Sequence, residues 1–96
     1  MMTSRAVVQT PNASRYLQQL CKHWSHKFDV SFDANHGSVP FPEGRKGEFA
    51  ASENALTLDV SASDEAGLRI IETVVANHLE RFAFREELAI EWQPAA

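Results

Sequence analysis

The stretch "ALTLDVSASDEAGLRIIETVVANHLERFAF", residues 55 to 84, decides the fold because its hydrophobic period changes once along its length. Over residues 55–62 every second side chain is apolar, which predicts a strand with one buried face. Over residues 64–85 the apolar side chains recur at steps of three and four, which predicts a helix with one buried stripe. That stripe consists of Leu68, Ile71, Val75, Leu79 and Phe82. Ser63 is the predicted N-cap, since a serine hydroxyl can accept hydrogen bonds from first-turn amides.

A second amphipathic helix is predicted nearer the N-terminus. Over residues 12–27 apolar side chains again recur at helical steps, with Thr10 as the N-cap and Pro11 at the first helical position. Its buried stripe consists of Leu17, Leu20, Cys21, Trp24 and Phe28. The β-branched run of residues 4–10 predicts a strand before this helix, and alternation over residues 28–33 predicts another directly after it.

Three weaker patterns complete the predicted sheet. The segment "SVPFP", residues 38–42, is extended, but its two prolines lack an N–H, so we expect it at an edge or a bulge. The segment "GEFAA", residues 47–51, predicts a weak strand that forms a hairpin with residues 55–62. Alternation over residues 88–92 predicts a last strand, after which "QPAA" is expected to fray.

These elements give the order β-α-β-(β)-β-β-α-β in a single domain, residues 1–96. With 44% hydrophobic residues, the chain has enough apolar side chains for one modest core. Burying one strand face against two helical stripes predicts a two-layer α+β sandwich. Both helices then lie on one face of a mostly antiparallel sheet of five or six strands.

Charge and cysteine content narrow the functional classes. The formal net charge is -4, and the nine Lys and Arg residues are scattered, which argues against nucleic-acid binding. The single cysteine, Cys21, leaves no internal disulfide and is typical of a reducing compartment. No segment approaches the ~20 apolar residues of a membrane span, and the first residues lack the apolar run of a signal peptide. We expect a soluble, cytoplasmic protein with no membrane partner.

Two long blocks carry a family resemblance: "TPNASRYLQQLCKHWSHKF", residues 10–28, and "VVANHLERFAFREELAIEW", residues 74–92. Together with "HG-x-V-x-F" and the "L-x-L" strand, they resemble the bacterial domain of unknown function family 2218. The resemblance covers nearly the whole chain and implies the neighbourhood of iron and siderophore handling. It also implies a siderophore-related reductase as a candidate partner protein. The chain departs from the family at "PEGRKGEFA", residues 42–50, which is more charged and glycine-rich than expected.

The candidate ligand site lies on one flank of the second helix. On a helical wheel His78, Arg81 and Arg85 lie beside the apolar stripe, each within about 60° of its centre. An imidazole next to two guanidinium groups suits a carboxylate or a phosphate, with His23 of the first helix as a fourth candidate contact. The structural alternative is that Arg85 offsets the helix dipole or pairs with a glutamate, while His78 bonds a backbone carbonyl.

Cys21, His23 and His26 resemble metal ligands in sequence but not on a helix. Cys21 and His23 project about 160° apart, so they cannot share one ion. His23 and His26 supply two ligands, whereas zinc sites take three or four from the protein. We predict no metal ion and no cofactor, and interpret Cys21 as a small buried apolar side chain. Without a glycine-rich phosphate loop or a nucleophile elbow, we assign no catalytic residue.

Three functions remain. The favoured one is a non-enzymatic binding or accessory module linked to iron-siderophore metabolism, which contacts an anionic small molecule. The second is a protein-interaction module that docks through the Pro40/Pro42 edge strand or through Phe84. The third is a small enzyme of unknown reaction. Phe84 lies opposite the apolar stripe, so either the helix ends before it and it folds back, which we favour, or it is exposed.

Overall fold

The period change near residue 63 separates a strand from a helix in the computed structural model, which describes residues 1–95. The elements in chain order are β1 (Met2–Gln9), α1 (Ala13–Trp24), β2 (Ser31–Phe32), β3 (His36–Val39), β4 (Lys46–Ala51), β5 (Ala55–Ala62), α2 (Glu65–Phe82) and β6 (Gln93–Ala95). The strands form one sheet in the order β2-β3-β4-β5-β1-β6, and each neighbouring pair is antiparallel. This confirms the two-layer α+β sandwich. Neither helix within residues 1–95 has the length and apolar composition needed to cross a membrane.

The core lies between the central strands and the two helices. β5 pairs with β1 along its whole length and with β4 on its other side, which confirms the predicted hairpin. Its inward side chains are buried: Leu56, Leu58, Val60 and Ala62. The helices cover this face with Leu17, Leu20, Trp24, Leu68, Ile71, Val75 and Leu79. Burying a Leu or Val side chain contributes roughly 1.5–3 kcal/mol, so this alternation decides which face of the sheet receives the helices.

α2 begins one residue later than predicted. Asp64, not Ser63, is its N-cap: the Asp64 carboxylate accepts a hydrogen bond from the Gly67 N–H at 2.7 Å. Aspartate adds a negative charge at the positive end of the helix dipole, which a serine hydroxyl lacks.

α2 also ends earlier than predicted, at Phe82. Ala83 has φ -96° and ψ 38°, outside the helical region, although its N–H still bonds the Leu79 carbonyl. Phe84 therefore lies beyond the helix, as favoured, but it does not fold back: its side chain is 76% exposed. Arg85 likewise follows the helix instead of lying on its flank.

α1 is shorter than predicted at both ends, because it begins at Ala13 and ends at Trp24. The predicted cap at Thr10 is wrong, because the N-cap position is Asn12 and Pro11 precedes the helix. The Thr10 hydroxyl instead accepts a hydrogen bond from the Asn12 N–H at 3.1 Å and donates one to Glu86 at 2.9 Å. A hydroxyl that would cap a helix is thus used to hold a distant segment.

The proline segment is not an edge strand. β3 ends at Val39, so Pro40 and Pro42 follow the strand, and β3 itself lies between β2 and β4. Phe28 and Val30, which were predicted to begin a strand, precede the two-residue β2 and pack partly buried against the core.

The last strand begins later than predicted. Leu88, Ile90 and Trp92 are half-buried and alternate with exposed residues, yet they precede the strand. Only Gln93–Ala95, within the segment expected to fray, pairs with β1. Ala96 lies outside the described residues.

Candidate functional site

A cavity of about 230 Å³ opens between the end of α1, the middle of α2 and the connection from β3 to β4. Its apolar wall consists of Trp24, Phe28, Phe41, Pro42, Ile70, Ile71 and Val74. Its polar rim consists of His23, Lys27, Arg45 and His78. These eleven residues define the aromatic cavity.

Packed aromatic rings form the wall of the aromatic cavity. The Phe41 ring meets Trp24 edge to face at 4.9 Å between centroids, and it meets Phe28 in the same way at 5.7 Å. Edge-to-face contacts at these distances are favourable because the positive ring edge meets the negative ring face. Phe41 is buried between two exposed prolines, which fix the backbone dihedrals on either side of it. The wall is therefore preformed.

Two local turns place the cations of the rim. The Lys27 N–H bonds the Trp24 carbonyl at 2.9 Å in the turn that ends α1. Glu43 and Gly44 both have positive φ, 64° and 74°, so the chain reverses sharply just before Arg45. Arg45 pairs with Glu43 at 3.2 Å, but the Glu43 side chain is 73% exposed, so water weakens this pair. Lys27 forms no ion pair within residues 1–95, and the rim is consequently electropositive.

The two histidines of the rim face each other. His78 Nδ1 lies 2.7 Å from the Val74 carbonyl oxygen. A carbonyl only accepts, so Nδ1 carries the hydrogen and Nε2 stays available. The His23 ring lies 5.0 Å from the His78 ring, centroid to centroid. Partial desolvation, then the electrostatic effects of His78 and of the cations Lys27 and Arg81, lower the pKa of His23.

The structure brings together part of the predicted ligand site. His23 and His78 line one cavity, and Arg81, exposed on α2, is near enough that its charge contributes to lowering the pKa of His23. Arg85 is separated from them: it lines a different cavity, with its guanidinium carbon 5.5 Å from the centre of the Phe84 ring. The predicted continuous flank fails at Arg85 because α2 ends at residue 82. A ligand-binding role for the four residues stays a prediction.

Sequence reasoning missed Lys27, Arg45 and Phe41. Lys27 lies three residues after Trp24, and this spacing was the available signal that the two side chains lie near each other. The pattern of residues 38–42 predicts that Phe41 lies in an extended edge segment or a bulge, and gives no sign of a cavity wall. Arg45 reaches α2 because Gly67 has no side chain: a Cβ there would lie 3.3 Å from Arg45 Nε. That approach between distant segments has no sequence signature.

Sequence reasoning also missed Glu86, which fastens the segment after α2 to the start of α1. Its carboxylate accepts hydrogen bonds from the hydroxyls of Thr10 and Tyr16 and from the Asn12 side-chain amide. The hydrogen bond from Tyr16, and then that from Asn12, lower the pKa of Glu86. Burial, followed by the hydrogen bond to Glu86, raises the pKa of Tyr16. Arg85, for which pairing with a glutamate was the structural alternative, forms no ion pair within residues 1–95.

The candidate metal ligands do not assemble. Across residues 1–95, no three His, Cys, Asp or Glu side chains are grouped to hold a metal ion. Cys21 is fully buried, and burial raises the pKa of its thiol to about 11. A protonated, inaccessible thiol is a poor ligand and a poor nucleophile, which agrees with Cys21 as an apolar core residue.

The comparisons with known proteins agree with this architecture. Residues 5–93 match the family described as "Uncharacterized protein conserved in bacteria (DUF2218)". The chain belongs to the DUF2218 family. PA4090 from Pseudomonas aeruginosa, solved by NMR, is 39% identical to this DUF2218 chain with a TM-score of 0.82, and the match covers 99% of this chain and 98% of that one. No functionally curated protein matches the chain.

Proposed function

We propose that this DUF2218 domain is a non-enzymatic binding module that takes a small aromatic anion in the aromatic cavity. One observation carries the proposal: a preformed wall of aromatic rings lies directly beside two cations, Lys27 and Arg45, and two imidazoles, His23 and His78. A flat ring packs on such a wall, and a carboxylate attached to it meets the cations at the rim.

The cavity size limits the ligand. Pockets that bury drug-sized molecules measure roughly 300–1,000 Å³, and this one measures about 230 Å³. The ligand, or the part of it that enters, is therefore about the size of a single substituted ring. Ring-sized ligands bind mainly by burying apolar area, so we expect affinities in the micromolar to millimolar range.

The family resemblance suggests which aromatic anion to test first. An association with siderophore handling favours an aryl carboxylate with catechol hydroxyls, because catechol-type siderophores carry that group. In that case the domain works beside a siderophore-related reductase as an accessory module. Ring size and charge support the aryl carboxylate; the iron association rests on the resemblance alone.

Amide chemical-shift titration tests the proposal with four probes: benzoate, 2,3-dihydroxybenzoate, neutral benzamide and ring-free acetate. We expect saturable shifts around Trp24 and Val74 with the two aryl carboxylates, and much weaker binding of benzamide and acetate. Replacing Lys27 and Arg45 together with glutamine removes both cations, and we expect benzoate affinity to fall about tenfold. Lys46→Gln, on the opposite face of the sheet, is the matched control.

Two results would contradict the proposal. The first is benzamide binding as tightly as benzoate, since the rim charge is then irrelevant. The second is the absence of saturable shifts at the aromatic cavity at millimolar benzoate. The predicted contacts at the end of α2 are checked in the same titration. Arg81→Gln removes a charge that acts on His23 at the rim and should weaken benzoate binding slightly. Arg85→Gln should not, because Arg85 lines another cavity.

A further inference from the structure

Some of the positively charged side chains of this acidic chain form ion pairs with carboxylates, and others do not. Four of its nine Lys and Arg residues form ion pairs: Arg5 with Asp59, Arg45 with Glu43, Lys46 with Glu48, and Arg69 with Glu65 and Glu72. Nine minus four leaves five that form no ion pair within residues 1–95: Arg15, Lys22, Lys27, Arg81 and Arg85. All five belong to α1, the end of α2, or the turns that follow them. Unpaired positive charge is therefore concentrated on one side of the molecule.

Three of these cations line two neighbouring depressions, and a fourth lies beside them. Two depressions share Gln19 and Phe82; one is lined by Lys22 and the other by Arg15 and Arg85. Arg81 is exposed on α2 three residues after His78, whose ring lies 5.0 Å from the ring of His23, a lining residue of the first depression. Phe84, 76% exposed, lines the second depression, which measures about 240 Å³. We call Arg15, Lys22, Arg81, Arg85 and Phe84 the basic face.

Within residues 1–95 the nearby carboxylates form no ion pairs with the cations of the basic face. Glu86 lines the same depression, but its oxygens are occupied by three hydrogen-bond donors from the start of α1. Glu80 is one residue before Arg81 and therefore points about 100° away around α2. No ion pair joins either carboxylate to a cation within residues 1–95.

We propose that the basic face docks a short acidic segment of a partner protein, with Phe84 as the apolar anchor. Arginine and aromatic side chains, phenylalanine among them, are enriched at protein interfaces, and here Arg85 already lies over the Phe84 ring. The net charge of -4 opposes polyanions that cover a large surface, such as nucleic acid or an acidic membrane. A short acidic segment contacts the cations alone. Arg15 and Lys22 are about 10 Å apart along α1, so three to four extended residues of the acidic segment are long enough to contact both.

The docking surface does not use the aromatic cavity, so it goes beyond the proposed ligand and is tested separately. The probe is a fluorescein-labelled heptapeptide of six glutamates with a central phenylalanine, at about 50 mM salt, where charges are weakly screened. Its matched partner carries glycine in place of phenylalanine. We expect the phenylalanine peptide to bind more tightly and to shift the amides of Arg15, Phe84 and Arg85.

Variants of exposed residues give the decisive comparison. Arg15→Gln with Arg85→Gln should weaken the phenylalanine peptide roughly three- to tenfold, whereas Lys46→Gln, a paired cation on the other face, should not. Phe84→Ser should reduce binding of the phenylalanine peptide to the level of the glycine peptide. The proposal is overturned if no shift occurs at the basic face at millimolar peptide. It is equally overturned if a deoxythymidine decamer or phosphatidylglycerol vesicles bind there more tightly than the peptide.

Discussion

The imidazole rings of His23 and His78 lie 5.0 Å apart, centroid to centroid, with one ring from each helix. Desolvation, and then the electrostatic effects of His78, Lys27, His26 and Arg81, lower the pKa of His23. Protonating His23 therefore adds a positive charge near the cations Lys27 and Arg81.

His23 makes the stability of the fold depend on pH near neutrality. Its pKa is lowered in the folded state, so the unfolded chain binds the proton more readily, with an unfolded pKa of about 6.5. The free energy of unfolding is therefore highest above that pH and falls as the pH drops through and below it. We expect His23→Gln to remove this decline, measured as the urea midpoint at pH 7.5 and 5.5.

The control is His36→Gln, which changes an exposed histidine of β3 that is not among the groups that shift the pKa of His23. If wild type and His23→Gln lose stability equally between the two pH values, the His23 environment is not as described.

Glu86 gives a second pH dependence, in a more acidic range. Hydrogen bonds from Tyr16, Asn12 and Thr10 lower the pKa of Glu86, so its stabilising effect is present above its unfolded pKa of about 4.3. That stability is lost as the pH falls through the folded value. We expect Glu86→Gln to be less stable than wild type at pH 7, and the difference to shrink at pH 3.

Urea denaturation measures this difference at both pH values, and Glu87→Gln supplies the comparison one residue away at an exposed carboxylate. A constant gap between wild type and Glu86→Gln at pH 7 and pH 3 contradicts the role given to the ionised carboxylate. An equal effect of Glu87→Gln contradicts the specificity of the Thr10, Asn12 and Tyr16 contacts.

The sheet and helices could be predicted because burial imposes a period on the sequence. Leu56, Leu58 and Val60 alternate since only one face of β5 meets the helices. The same signal misled at residues 88–92, where side chains alternate in burial but the backbone forms no strand. An alternation of apolar and polar residues indicates which side chains face the core, but it does not indicate whether the backbone forms hydrogen bonds to a neighbouring strand.

The candidate site could be predicted only where it depends on a helix. His78 was found because it flanks the stripe of α2, and its contact with His23 follows from two helices packing side by side. Arg85 was misplaced because helix ends are decided by local dihedrals, here those of Ala83. Arg45 joins the aromatic cavity through a loop that crosses to Gly67, a long-range contact without a local pattern.

The cap of α2 provides a direct test of one corrected prediction. The Asp64 carboxylate accepts the Gly67 N–H at 2.7 Å, so Asp64→Ala leaves that donor without its partner. Loss of an N-cap costs roughly 0.5–2 kcal/mol, and we expect a decrease of that size in the free energy of unfolding. Ser63→Ala, the cap predicted from sequence, should change it by less than about 0.5 kcal/mol. Urea denaturation at pH 7 separates the two, and equal effects contradict the assignment.

Gly37 and Cys21 test how tightly β3 packs under α1. Both residues are buried, and a Cβ on Gly37 would lie 2.4 Å from Cys21 Sγ, closer than two such atoms can approach. Gly37→Ala therefore forces the strand and helix apart, which typically costs about 1–3 kcal/mol in a well-packed core. Removing the sulfur with Cys21→Ala makes room for the new methyl group, so the double variant should be more stable than the sum of the single effects predicts.

A double-mutant cycle by urea denaturation measures this coupling, which for contacting residues is typically about 0.5–3 kcal/mol. The thiol provides a second readout, because burial raises the pKa of Cys21 to about 11 and hides it from reagents. We expect Gly37→Ala to accelerate labelling of Cys21 under native conditions. Additive stabilities together with an unchanged labelling rate would show that β3 and α1 are not in contact at this pair.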